Sequence, residues 1–182
     1  MLMPPLLCRL TACTSQKIAL SCGGQLNDSG SHLLDVVLWI TGLEPESVSA
    51  FIDNRGTEVD IDSALTVRFR EGAIGTFNVV GSASIGWHED VSIHGEHGTV
   101  LYRNNRIWVA KQGRTELTEV PASELPASSE PNRDFVDVVL GRIIEAAAPS
   151  HCGLRIARLT EAAWRSAAEG GKVVSLTEET VV

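Results

Sequence analysis

The sequence has no cluster of lysine or arginine, no long apolar run and no paired cysteine motif. Each absence removes a class of function. With 15 Lys and Arg against 23 Asp and Glu, the formal net charge is −8. No basic surface is on offer to a nucleic acid or an anionic membrane. No stretch reaches the roughly 18 apolar residues that a membrane span needs. The opening MLMPPLLC is apolar, but no Lys or Arg precedes it and Pro4 and Pro5 interrupt it. It therefore lacks the charged start of a secretory signal. Of Cys8, Cys13, Cys22 and Cys152, no two form a CxxC pair. They read as free thiols in a reducing compartment, so the expected location is cytoplasmic. What remains is a globular composition, 43% hydrophobic and 21% charged, in a chain of 182 residues that can bury one substantial core.

Residues 1–22 show neither a clean period nor caps and read as a tail. Order begins at Gly23. Asn27, Asp28 and Ser29 are all N-cap types, and Gly42 suits the position just past a helix end, which predicts a helix over 28–41. It is apolar nearly all round and is expected to be buried on more than one side. Strand signals follow at 47–52, 64–69, 73–80, 91–94, 99–102, 106–111 and 115–120, separated by short turn-like links. The stretch PASELPASSEP at 121–131 reads as a surface linker. Helices are expected at 133–144 and 154–168, and a last strand at 172–176. The fold class is therefore α+β, a large, mostly antiparallel sheet with helices on one face.

Asp28 and His32 are the candidates for chemistry. Positions i and i+4 share a helix face, and Asp35 follows on it. Two readings stay open from spacing alone. Asp28 caps free N–H groups and His32 fills a niche at the helix mouth, or the carboxylate orients an imidazole that exchanges a proton with a substrate hydroxyl. The Gly23–Gly24 pair would let backbone approach a ligand closely. His88, Glu89, His94, Glu96 and His97 form a His/Glu-rich patch that reads as solvated loop; a metal would need three or four converging ligands. Trp87 and His88 could reach a ligand at a sheet edge. Trp39, Trp108 and Trp164 read as core, Thr160–Glu161 as a packing or inner-capping pair, and Cys152 as a thiol without a base.

The segment GGQLNDSGSHLLDVVLWITG resembles the one that opens the C-terminal domain of the Gfo/Idh/MocA family (glucose–fructose oxidoreductase, inositol dehydrogenase and the rhizopine-catabolism protein). Three further stretches resemble that domain in the same order: HEDVSIHGEHGTVLYRNNRI, NRDFVDVVLGR and LRIARLTEAAWRSAAEGGKVVSL. The resemblance covers residues 23–176. It implies that Asp28 and His32 contact substrate hydroxyls beside a nicotinamide, with His32 handling a proton. It also implies an open sheet face that packs against a second subunit.

Two family features are missing. No G-x-G-x-x-G turn is present to hold a dinucleotide pyrophosphate, and no E-K-P lysine; Lys17 is the only lysine ahead of Asp28. The expectation is a non-matching tail at 1–22 and a substrate-binding and oligomerisation domain at 23–182, with the dinucleotide-binding domain absent from this chain. Intact relatives would use NAD or NADP, and this chain alone is expected to bind neither. The expected reaction is oxidation of a secondary alcohol on a sugar, cyclitol or related polyol. The expected partners are that polyol and further copies of the chain, with no nucleic acid and no membrane. The competing reading is a non-catalytic oligomerisation or ligand-binding module.

Overall fold

The computed structural model describes residues 23–126 and 130–176. These form two compact units. One takes in the described residues up to Ser82 and those from Ala148, and the other runs Ala83–Ala147.

In the first unit, helix α1 (Ser29–Thr41) leads into β1 (Pro45–Asp53), β2 (Asp62–Phe69) and β3 (Ile74–Val80). Within the same unit, α3 (Ser150–Ala168) and β8 (Val174–Ser175) follow later in the chain. The four strands form a sheet in the order β3-β2-β1-β8, with every pair antiparallel. One face is the core. Val48, Ala50, Leu65, Val67, Phe69, Phe77 and Val79 alternate inward and pack with Leu34 and Leu38 of α1 and Ile156, Leu159, Ala162 and Ala163 of α3. The other face carries Ala64, Thr66, Arg68, Thr76 and Asn78 and is exposed. Phe51, Ile74 and Val80 stand out on these strands, at 66%, 64% and 55% exposure.

The second unit holds β4 (Asp90–Gly95), β5 (Gly98–Arg103), β6 (Arg106–Lys111) and β7 (Thr118–Glu119), an antiparallel sheet in sequence order. Its helix, α2, is Pro131–Val139. The α+β class and the antiparallel pairing are as expected. The strands expected to share one large sheet divide into two of four. The sequence pattern marks strands and hairpins but not where hydrogen bonding between neighbours stops. That break falls at residues 81–89, a stretch of turns and bends between β3 and β4.

Boundaries moved where local signals were weak. The helix expected at 133–144 ends at Val139, with Leu140 as its C-cap. The one expected at 154–168 begins at Ser150, just after Pro149. Of the strand expected over 115–120, only Thr118 and Glu119 pair. Helix α1 matches its expectation closely and ends in Gly42 at φ 66°, the left-handed stop that glycine adopts without cost. It is buried on one side only. Gly30, Leu34 and Leu38 face the core, whereas Val36, Trp39 and Ile40 are 46%, 57% and 56% exposed.

Two polar side chains tie the first unit together. Ser166 in α3 accepts a hydrogen bond from Ala50 N–H at 2.9 Å and donates to the Lys172 carbonyl at 2.6 Å, which docks the helix on β1. Asp60, in the connection between β1 and β2, is only 5% exposed. Its Oδ2 accepts from Leu26 N–H at 2.6 Å and its Oδ1 from the Trp164 indole N–H at 2.9 Å. Its carbonyl accepts from Gln25 N–H at 2.9 Å. A buried carboxylate is costly unless such donors satisfy it. At the exit of β3, Asp62 accepts from the Ser82 amide and hydroxyl and from Arg55. Burial pushes its carboxyl up, but these bonds outweigh it and hold it below the usual carboxylate range.

Gly24 is what the Asp60 contact requires. A Cβ there would lie 2.1 Å from the Asp60 carbonyl oxygen and 2.6 Å from its carboxyl carbon. Gly24→Ala is therefore expected to destabilise the chain by about 1–3 kcal/mol, the usual cost of overpacking. Urea unfolding measures it, and a change below about 0.5 kcal/mol would contradict the packing described.

Candidate functional site

The site begins with the turn that precedes α1. Gln25–Asp28 forms a tight turn in which the amides of Asn27 and Asp28 both donate to the Gly24 carbonyl, and Gly30 N–H donates to the Gln25 carbonyl. Asp28 stands at the N-cap of α1, just ahead of the first helical residue, and His32 follows four residues later inside the helix. Both side chains are exposed.

Neither side chain has the structural job that spacing alone allowed. Asp28 makes no side-chain cap hydrogen bond. Its backbone alone is used: the amide donates to the Gly24 carbonyl and the carbonyl accepts from Ser31 Oγ at 2.7 Å. His32 fills no niche, because it faces solvent. Asp35, on the same flank, is half-buried. Its Oδ1 is shielded from solvent and has no hydrogen-bond partner among the described residues. The helix mouth thus presents a carboxylate and an imidazole side by side, both open to a ligand. Such a pair can accept from, donate to and exchange a proton with a hydroxyl.

The glycine pair has a different role from the one expected. It brings the backbone close to its own chain and not to a ligand. Gly24 is filled by Asp60, and a Cβ on Gly23 would lie 3.0 Å from the Trp164 ring. The space at the backbone of this pair is occupied. It does not form the open cradle that a dinucleotide pyrophosphate needs. Lys17 lies outside the described residues.

The second unit holds the remaining candidates. Asn104 Nδ2 lies 3.1 Å from His88 Nδ1, and Thr99 Oγ1 lies 3.2 Å from His94 Nδ1. The Tyr102 hydroxyl donates to Glu89 Oε2 at 2.9 Å. Burial, and then the Glu89 carboxylate, raise the Tyr102 hydroxyl above its ordinary range. Among the described residues, no three His, Cys, Asp or Glu side chains gather where they could hold a metal ion. Trp87 is 71% exposed.

The tryptophans expected in the core are not uniformly there. Trp39 is 57% exposed, while Trp108 and Trp164 are half-buried. Their periodicity placed them on elements correctly but did not say which face the core would take. Thr160 is buried in α3 and Glu161 is exposed; Cys152 is a buried free thiol. No described helix is long and apolar enough to cross a membrane.

Asp60 is the residue that sequence reasoning missed. The available signal was its setting in Val59–Asp60–Ile61, a lone acid between two apolar residues that both prove buried. A carboxylate in such company needs internal donors.

The comparisons with known proteins fit this geometry. Residues 14–101 match the model of the GFO/IDH/MocA C-terminal domain. The match begins inside the stretch read as a tail. No curated protein matches the chain. Among solved structures, the chain is similar to aldose–aldose oxidoreductase from Caulobacter crescentus in complex with glycerol. The TM-score is 0.77 and the identity 22%, over 90% of this chain and 51% of that one. It is similar to levoglucosan dehydrogenase in complex with NADH and levoglucosan, at TM-score 0.73 and 18% identity, over 90% of this chain and 53% of that one. The WlbA dehydrogenase from Bordetella pertussis, in complex with NADH and UDP-GlcNAcA, gives TM-score 0.68 and 24% identity, over 86% and 47%. The likeness at these identities is one of fold, and the chain spans about half the length of these solved relatives. The matched segment carries the Asp28–His32 turn, and the shared fold takes in both units. The resemblance read from the sequence is borne out over residues 14–101, which match the model of the GFO/IDH/MocA C-terminal domain.

Proposed function

We propose that this chain is the substrate-binding half of an NAD(P)-dependent oxidoreductase acting on a secondary alcohol of a sugar, cyclitol or related polyol. The observation that carries the reading is the idleness of Asp28 and His32 in the fold. Asp28 at the N-cap of α1 and His32 in its first turn are exposed, and neither side chain hydrogen-bonds to a described residue. Asp28 orients the polyol by accepting from its hydroxyl, and His32 exchanges the proton of the reacting hydroxyl. Relatives of this fold were solved with NADH and sugar-type ligands, which supports the substrate class. The hydride chemistry belongs to a dinucleotide held outside the described residues, and no part of it is assigned to this chain. We place the protein in the cytoplasm on the reading of its cysteines as free thiols.

A specific observation also supports self-association. The outer face of the first unit's sheet exposes Phe51, Ile74 and Val80 among Thr and Asn side chains. A chain that worked only as an oligomerisation module would use this face and leave Asp28 and His32 idle. In either reading, light scattering at tens of micromolar should give a dimer or tetramer; a clean monomer would remove the sheet face as an interface.

Cofactor binding separates the halves of the proposal. Without a glycine-rich cradle, calorimetric titration of the chain alone should give no measurable NAD(H) or NADP(H) binding. A micromolar dissociation constant, about −8 kcal/mol, would contradict it.

The catalytic pair is tested with the chain joined to the dinucleotide-binding half of a solved relative. His32→Ala should lower polyol turnover by about 10²–10⁴, the range of a general acid or base. Stability should stay within about 0.5 kcal/mol of the parent, since an exposed side chain gives up few contacts. Unchanged turnover with lost stability would make the pair structural and the reading wrong.

A further inference from the structure

We infer that the outer face of α1 is a docking surface for the protein body that carries the dinucleotide, with His32 at its rim. This rests on the reading of His32 as substrate-facing. A helix turns by about 100° per residue, so residues spaced i, i+4, i+7 and i+8 line one side of it. Helix α1 carries two such rows. Gly30, Leu34 and Leu38 form the buried one. His32, Val36 and Ile40 begin two residues later, so they lie about 200° around the helix, with Trp39 beside them. All four are exposed. Beyond His32 this outer row carries no titratable side chain. A helix that is apolar on both sides is ordinarily covered on both. An apolar row that runs up to an exposed titratable group has the make-up of a domain interface with a ligand site at its edge.

Self-association through the sheet would not cover this row. Helix α1 packs on the core side of that sheet, and Phe51, Ile74 and Val80 stand on the other side. The chemistry proposed for His32 names a different occupant. As His32 takes the hydroxyl proton, hydride leaves the same carbon for the nicotinamide, so the nicotinamide must lie in contact with that carbon. The body that holds it therefore comes up against α1 beside His32, and the next side chains it meets are Val36, Trp39 and Ile40. Two solved relatives of this fold in complex with NADH are matched over about half of their own length. In those enzymes as much chain again is available to carry the dinucleotide.

The test compares hydroxyl-radical footprints, read by mass spectrometry, of the chain as it exists and of the chain joined to a solved relative's dinucleotide-binding half with NADH bound. Trp39 should oxidise about fivefold more slowly in the joined protein, because the core of an interface excludes water. Phe51, on the far side of the sheet, should oxidise alike in both. Ile40→Glu should leave the melting temperature of the chain alone within about 1 °C, since an exposed side chain gives up few contacts. It should also leave the mass from light scattering unchanged. In the joined protein it should bring Trp39 oxidation back to the rate of the chain alone. Val36→Glu is read the same way should Ile40→Glu fail to fold. Equal Trp39 oxidation in the two parent proteins overturns the inference. So does a Trp39 that is protected in the chain alone and released on dilution, because a second copy then covers the row. A protected Trp39 with an inert His32 would keep the docking face and sink the catalytic reading. An unprotected Trp39 with His32-dependent turnover would do the reverse.

Discussion

A single buried carboxylate organises the start of α1 and the elements around it. Asp60 gathers a loop that precedes α1, the connection between β1 and β2, and the last long helix into one knot. The partners are strong donors to a charged acceptor, of a kind worth about 1.5–3 kcal/mol each. Much of that offsets the cost of taking the carboxylate out of water, so the knot contributes specificity more than net stability. Removing Asp60 would be costly for another reason: the Leu26 amide and the Trp164 indole would lose their acceptors. Gly24 belongs to the same knot, since any side chain there would occupy the position of the Asp60 backbone.

The consequence is a division of labour at the start of α1. Apolar residues on one side of the helix build the core, and Asp60 holds the turn that leads into it. Asp28 and His32 are left with no structural work and point into solvent. The exposed side of the same helix is not polar throughout: Val36, Trp39 and Ile40 continue it away from the pair. The glycines that seemed to wait for a ligand are already occupied by the protein itself.

What could be read in advance followed from local physics. Helix α1, its Gly42 stop and the β2–β3 hairpin were legible because caps, turns and alternation are written within a few residues of the element they define. The exposed placement of Asp28 and His32 at the start of α1 is consistent with their proposed role, which rests on their spacing and their resemblance to a family segment. Asp60 was not legible, because its partners Leu26 and Trp164 lie 34 and 104 residues away in sequence. The burial of Trp39 was misread for a related reason. A helix apolar on every side does not reveal which face the sheet will cover. The division into two sheets was hidden too, since a turn inside a sheet and a turn between sheets have the same composition.

The central claim is that the idle pair at the helix mouth belongs to a substrate. It is tested most directly by a crystal structure of the chain joined to a relative's dinucleotide-binding half, with cofactor and a polyol bound. The account predicts a ring nitrogen of His32 within about 2.6–3.2 Å of the reacting hydroxyl. The Asp28 carboxylate should accept from the same or the adjacent hydroxyl, and Asp60 should still be bound to Leu26 and Trp164. A polyol seated elsewhere, with Asp28 and His32 both facing bulk solvent, would contradict it.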